Sequence, residues 1–216
     1  MKRYSVHSVF RTIQGEGYHA GTVAVFVRFT GCNVWSGYEK DRQRDSAKSR
    51  CALFCDTEFA KPNPGMGGGV FTAEELVERV CAAGALDGPR VHVVLTGGEP
   101  SLQVDEPLIR EMHETLGAYV QMESNGSNPR PSGLDWYTVS PKPPIPLWDR
   151  GVCRADELKV LWPDMYTEDL EMYPVEHRFL QVIDRPGSDV RKLIEFLYEN
   201  PQWRLSHQLH KTLGLA

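Results

Sequence analysis

Short apolar runs rich in Val, Ile, Phe and Tyr recur along the chain: VAVFVRF (23–29), VHVVL (91–95), YVQME (119–123), WYTVS (136–140), ELKVLW (157–162), FLQVI (179–183) and RLSHQLH (204–210). Their length and their β-branched and aromatic content predict strands. Between them the apolar positions change to helical spacing in TAEELVERVCAAGAL (72–86), DEPLIREMHETL (105–116) and SDVRKLIEFLYEN (188–200). Thr72 followed by Glu75 gives the first of these a capping box. Cys81 falls on its apolar stripe with Leu76, Val77 and Val80 and reads as core. Strands alternating with helices imply an α/β fold with right-handed crossovers and a largely parallel sheet, open or curled into a barrel.

In either arrangement the active site lies beyond the carboxyl ends of the strands. Polar residues collect there. Arg28 ends the first run, TGGEP follows VHVVL, ESNGS ends YVQME, SPK follows WYTV, Gln181 sits late in FLQVI, and His210 ends the last run. KPNPGMGGGV (61–70) reads as a flexible connection and SPKPPIPLWDRG (140–151) as an extended loop.

Composition narrows the picture. With 216 residues and 41 % hydrophobic content, the chain supports one substantial core, so a single domain over 1–216 is expected. A formal charge of −5 disfavours nucleic-acid phosphates as the main partner and makes a small molecule the default. The charged run EKDRQRDSAKSR (39–50) mixes five basic with three acidic residues and reads as a solvated helix or loop. MKRYSVHSVFRTIQ has no apolar run of signal-peptide type, and no window approaches the ~20 apolar residues of a membrane span. A cytoplasmic location is expected.

Five cysteines, an odd number, do not suggest a disulfide framework. Three of them cluster: Cys32, Cys51 and Cys55, with 18 residues in the first gap and three in the second. Structural zinc usually takes four ligands in paired spacings, so zinc is an incomplete match. An iron–sulfur cube normally takes four thiolates, and three would leave one iron open for a substrate or cofactor.

With Phe54 before the last cysteine and TGGEP after a downstream strand, the cluster resembles the radical S-adenosylmethionine enzymes. Within that superfamily the chain resembles the 7-carboxy-7-deazaguanine synthases over nearly its whole length. The resemblance is carried by TIQGEG (12–17), FVRFTGCNVWSG (26–37), FCDTEF (54–59), TGGEP (96–100), ESNGS (123–127), VSPK (139–142), ELKV (157–160) and QWRLSHQLHK (202–211). The three-residue gap departs from the family's CxxC and changes the local turn between the last two ligands. LQVIDRPG likewise lacks the first proline of the family's LQPMDGP.

The resemblance implies an abridged radical-enzyme barrel with a cluster-binding insertion at about 32–70, in a homodimer. Cys32, Cys51 and Cys55 would hold a [4Fe-4S] cluster, and Thr57 a Mg²⁺ bridging to substrate. Phe54, Gly98, Glu99, Glu123, Asn125, Ser140, Lys142, Gln181 and Asp184 would contact S-adenosylmethionine. Ile13, Gln14, Gly15, Glu16, Arg28, Thr96, His210 and Ala216 would contact substrate, with the QGEG turn reading a pterin edge and Arg28 its carboxylate. A flavodoxin-type reductant would feed the cluster one electron, and the 5′-deoxyadenosyl radical so generated would take hydrogen from C6 of 6-carboxy-5,6,7,8-tetrahydropterin. Ring contraction with loss of ammonia would give 7-carboxy-7-deazaguanine, a precursor of queuosine and other deazapurines. Cys153 has no role in the family pattern. A glycyl-radical activase and a zinc-stabilised scaffold without catalysis are the alternatives; neither needs the QGEG, Arg28 and His210 set.

Overall fold

The computed structural model describes residues 2–85, 91–148, 154–185 and 187–215. In chain order its elements are β1 (Tyr4–Ile13), β2 (Val23–Phe29), α1 (Arg42–Asp45), β3 (Gly69–Phe71), α2 (Ala73–Val80), β4 (His92–Gly97), α3 (Glu106–Leu116), β5 (Tyr119–Ser124), β6 (Trp136–Val139), β7 (Glu157–Trp162), β8 (His177–Val182), α4 (Val190–Glu199), β9 (Arg204–Ser206) and α5 (Leu209–Thr212). The strands form one nine-stranded sheet in the order β3-β1-β2-β4-β5-β6-β7-β8-β9. β3, β1 and β2 pair antiparallel, and every pairing from β2 to β9 is parallel. Among the described residues no ladder joins β9 to β3, so the sheet is an open, partial barrel.

Helix ends follow the local sequence. The Thr72 hydroxyl accepts from the Glu75 N–H at 3.2 Å while the Glu75 carboxylate accepts from the Thr72 N–H at 2.8 Å, the reciprocal bonds of a capping box. Asp105 caps α3 by accepting from the Leu108 N–H, and Gly117, at φ +59°, closes it in the left-handed region. Leu76, Val77 and Val80 of α2 and Leu108, Ile109 and Met112 of α3 are buried with Val93, Leu95, Val120 and Met122, alternate residues of β4 and β5. The other face of those strands is left for the site, because strand side chains alternate. Cys81 is half-buried where α2 ends.

One strand is added to those expected, and two expectations are corrected. The amino-terminal segment is a ten-residue strand, hidden in the sequence because a register shift between Val6 and Ser8 interrupts the alternation of apolar residues. Part of the expected flexible connection pairs as β3, with Tyr4 opposite Phe71. Glycine permits this, since a Cβ at Gly68 would lie 2.0 Å from the His7 carbonyl oxygen. The expected strand over 204–210 stops at Ser206, and His210 lies on α5. Cys153 and Ala216 lie outside the described residues.

The amino end of the barrel is plugged by the β1–β2 loop. Tyr18 packs on Trp136 and His177, with centroids 4.8 and 4.4 Å away, and His19 meets His92 at 5.0 Å and Trp136 at 4.6 Å. Beneath them the Glu157 carboxylate accepts from the Tyr18 N–H and the Trp136 indole N–H. Among the described residues no helix is long and apolar enough to cross a membrane.

Candidate active site

At the carboxyl end of the strands two lobes open side by side. The first, partly open to solvent, is lined by Cys32, Cys51, Phe54, Cys55, Thr57, Gly98, Glu99, Glu123, Asn125, Ser140, Lys142, Gln181 and Asp184. The second is lined by Ile13, Gln14, Glu16, Arg28, Thr57, Thr96 and His210. Glu16, Asp56, Thr57, Thr96, Glu123 and Gln208 face both lobes and form their common wall.

The cysteine segments follow from local turns. Ser49 caps the short helical turn Arg50–Leu53 by accepting from the Cys51 N–H, and the Cys55 N–H bonds to the Cys51 carbonyl at 3.0 Å. That bond closes one turn of α-type, so the three-residue gap sets the two thiols four positions apart on the same face. The thiols touch: Cys55 pulls the Cys51 pKa down, assisted by Lys142 against burial, and Cys55 itself is pushed up by Cys51 and by burial. Burial likewise raises Cys32, against hydrogen bonds from the Trp35 and Val34 N–H groups. Among the described residues no three His, Cys, Asp or Glu side chains converge to chelate a single ion. A cube takes one thiolate at each of three corners, and all three thiols line this one lobe.

The two glycines of TGGEP let that loop lie directly against the backbone beside Cys32. A Cβ at Gly97 would meet the Phe29 oxygen at 2.3 Å, and one at Gly98 the Gly31 oxygen at 2.0 Å. The Gly31 carbonyl accepts from the Glu99 N–H at 2.8 Å. Glu99, 1 % exposed, accepts from the Ser101 and Ser124 hydroxyls and from the Ser101 and Asn125 N–H groups. It therefore ties the ends of β4 and β5 together. Asn125 reaches on to Asn33, next to Cys32, at 2.8 Å, and the Lys142 ammonium donates to the Ser140 hydroxyl and carbonyl.

On the first lobe's side of the common wall Lys159, on β7 and 5 % exposed, pairs with Glu16 at 2.5 Å and Glu123 at 3.0 Å. Gln181 and Gln208 donate to the other Glu16 oxygen at 3.0 and 2.9 Å, and Gln14 donates to Glu123 at 2.8 Å. Burial alone would raise the Glu16 pKa, but Lys159 and these donors hold it well below the usual carboxylate range. Lys159 is raised by its carboxylate neighbours in spite of burial. Arg28 stands beside Thr96 in the parallel β2–β4 ladder and lies over the Phe10 ring; its buried Nε has no hydrogen-bond partner among the described residues. Burial lowers its pKa, so a nearby anion would be welcome. Gly15 does not line the lobe. Its carbonyl accepts from the Leu209 N–H at 3.0 Å, and a Cβ there would strike His210, so it docks α5.

Lys159, Gln208, Asp56 and Lys211 belong to the site without having been singled out from the sequence. Lys159 left one signal, a cation alternating with Glu157 inside an otherwise apolar strand. Lys211 bridges Asp56, just after Cys55, at 2.6 Å and Asp184 at 3.2 Å, joining α5 to the cysteine loop and the end of β8.

No family model matches the chain. Curated 7-carboxy-7-deazaguanine synthases of Bradyrhizobium diazoefficiens and Bordetella pertussis are each 42 % identical to it, over 98 % of this chain and 99 % of the relative. The crystal structure of QueE from Escherichia coli superposes with a TM-score of 0.69 at 28 % identity, covering 96 % of this chain and 95 % of that one. These likenesses displace the activase and zinc-scaffold alternatives and bring radical chemistry with a [4Fe-4S] cluster and S-adenosylmethionine. The chain belongs to the 7-carboxy-7-deazaguanine synthase family.

Proposed function

We propose that the two lobes divide the family's reaction between them, the first taking the cluster and S-adenosylmethionine and the second taking 6-carboxytetrahydropterin. The observation that carries this reading is the partition of the lining residues: the three cysteines with the cofactor set on one side, the substrate set on the other, and Thr57, Thr96, Glu16 and Glu123 between. When bound, the cluster and S-adenosylmethionine supply a carbon radical able to take hydrogen from the substrate.

The protein binds, orients and excludes water. Arg28, with an unused buried N–H, forks onto the substrate carboxylate, a planar match that lysine could not make. Glu16 has about four lone-pair sites, of which three are taken by Lys159, Gln181 and Gln208, leaving one for an N–H of the aminopyrimidinone edge. The Gln14 and Ile13 backbone and His210 complete that edge, with Ala216 assigned by resemblance alone. Thr57, on the common wall, would offer its hydroxyl to a Mg²⁺, an ion that dehydrates reluctantly and needs few protein ligands. Gly98 and Glu99 hold the methionine amine; Phe54, Asn125, Ser140, Lys142, Gln181 and Asp184 contact the rest of the cofactor.

The same reading makes the chain one domain with a cluster-binding insertion over about 32–70. It functions as a cytoplasmic homodimer served by a flavodoxin-type reductant. Exposed Met172, Tyr198 and Leu213 supply apolar surface for self-association. The test is anaerobic reconstitution with iron and sulfide, followed by turnover of 6-carboxytetrahydropterin with and without Mg²⁺. Brown protein that forms 7-carboxy-7-deazaguanine faster with Mg²⁺ supports the whole assignment. Product formation indifferent to Mg²⁺ removes the Thr57 role, and colourless protein holding only zinc removes the cluster.

A further inference from the structure

The 18 residues between Cys32 and Cys51 fold into a brace. At its centre Arg42, on α1, turns its guanidinium inward; its side chain is 21 % exposed, against 66 % for Arg44. Nη1 donates to the Ala52 carbonyl at 2.7 Å and Nη2 to the Cys55 carbonyl at 2.9 Å. These carbonyls end a single helical turn, where no intrahelical donor remains for them. The guanidinium carbon lies 4.1 Å from the centre of the Trp35 ring. Trp35 follows Cys32 by three residues and packs with Ala52 and Phe59 in a small cluster flanked by Cys32 and Cys55. One planar group therefore touches all three cysteine segments. Glu39 grips it from outside, accepting from Nε and Nη2 at 2.6 Å each.

We propose that Arg42 is the positioning residue of the cluster loop. It fixes the Cys51–Cys55 turn against the Cys32 segment and places a cation beside the thiols, while Glu39 holds it in place and tempers its charge. The proposal rests on the reading that these three cysteines hold the [4Fe-4S] cluster. Lysine cannot replace the fork: a single ammonium has neither the plane that stacks on Trp35 nor the spread that reaches two carbonyls.

The test compares reconstituted wild type with Arg42→Met, Arg42→Lys and Glu39→Gln. Three quantities are read: iron per chain, the rate at which a chelator bleaches the visible band, and the midpoint potential of the cluster. Arg42→Met is expected to bleach roughly ten-fold faster, the equivalent of one charge-assisted hydrogen bond. Its potential is expected to move negative, because net charge near a cluster sets its potential. Arg42→Lys should recover the potential and not the resistance to chelator. Bleaching and potential unchanged in Arg42→Met would overturn the proposal. If that variant does not fold, Glu39→Gln decides, since removing this exposed carboxylate raises the potential under the proposal and leaves it unmoved otherwise. Wild type that takes up no iron would refute the underlying assignment of the cysteines, a failure distinct from that of Arg42.

Discussion

Lys159 and Glu16, 143 residues apart in sequence, meet at 2.5 Å at the wall the two lobes share, and the same ammonium reaches Glu123 at 3.0 Å. One cation between two carboxylates balances the charge of a nearly dry site only in part, and the surrounding glutamines carry the rest as hydrogen bonds. Breaking such a set by removing one member costs more than the set contributes when intact, because the partners stay buried.

Lys159→Met is expected to lose about 3 kcal/mol of stability at pH 7, measured by urea unfolding. The deficit should shrink on acidification. With its pKa lowered in the fold, Glu16 contributes stability that is present above its ordinary value of 4.5 and lost as pH falls through the folded value. Without Lys159 that contribution disappears, so wild type approaches the variant in acid. A deficit that stayed constant from pH 5 down to about pH 2 would assign the loss to packing alone.

Arg28→Ala should leave iron content and visible spectrum unchanged while weakening substrate affinity by about 100-fold, the usual scale for losing one side of a buried charge pair. Equilibrium binding of 6-carboxytetrahydropterin checks it. Turnover with unaltered apparent affinity would move the carboxylate clamp elsewhere.

Gly15→Ala places a Cβ 2.1 Å from the His210 ring and 2.9 Å from its backbone nitrogen, so α5 must withdraw. KM for the pterin is expected to rise by at least several-fold, with little change in S-adenosylmethionine affinity, because the displaced helix borders the second lobe. Equal losses for both ligands would contradict this.

The plug at the other end of the barrel has opposing pH dependences. His19, lowered to about 4 by burial and by His92 and His177, is neutral in the fold, so its contribution to stability falls as pH drops from 6.5 towards 4. Glu157, raised to about 7 chiefly by burial, binds its proton more tightly in the fold, so its contribution is present below 4.5 and is lost as pH rises towards 7. Thermal melting followed from pH 4 to 8 should show His19→Asn flattening the acid limb and Glu157→Gln raising stability near neutrality. Parallel curves for all three proteins would mean that neither group is linked to folding in this range.

Much of this architecture could be read from alternation alone. β2 spans the residues 23–29 that its apolar pattern marks, and the Thr72–Glu75 cap forms as its spacing implies. β1 could not be read, because the shift at Val6 and Ser8 puts consecutive residues on the buried side. β3 is held by contacts of glycine backbone with β1, which no propensity scale records. The candidate ligands were visible as motifs. Lys159, Gln208 and Arg42 were not, since each acts through partners that only the folded chain brings near: Glu16 for the first two, the Ala52 and Cys55 carbonyls for the third.

The common wall between the lobes makes their occupants thermodynamically linked. Anything bound in one lobe that orders Thr57, Thr96, Glu16 or Glu123 presents the other lobe with a changed surface. By reciprocity, whatever factor the pterin imposes on S-adenosylmethionine affinity must be returned by S-adenosylmethionine on the pterin. Were that factor favourable, a fully assembled ternary complex would form in preference to either half-loaded form.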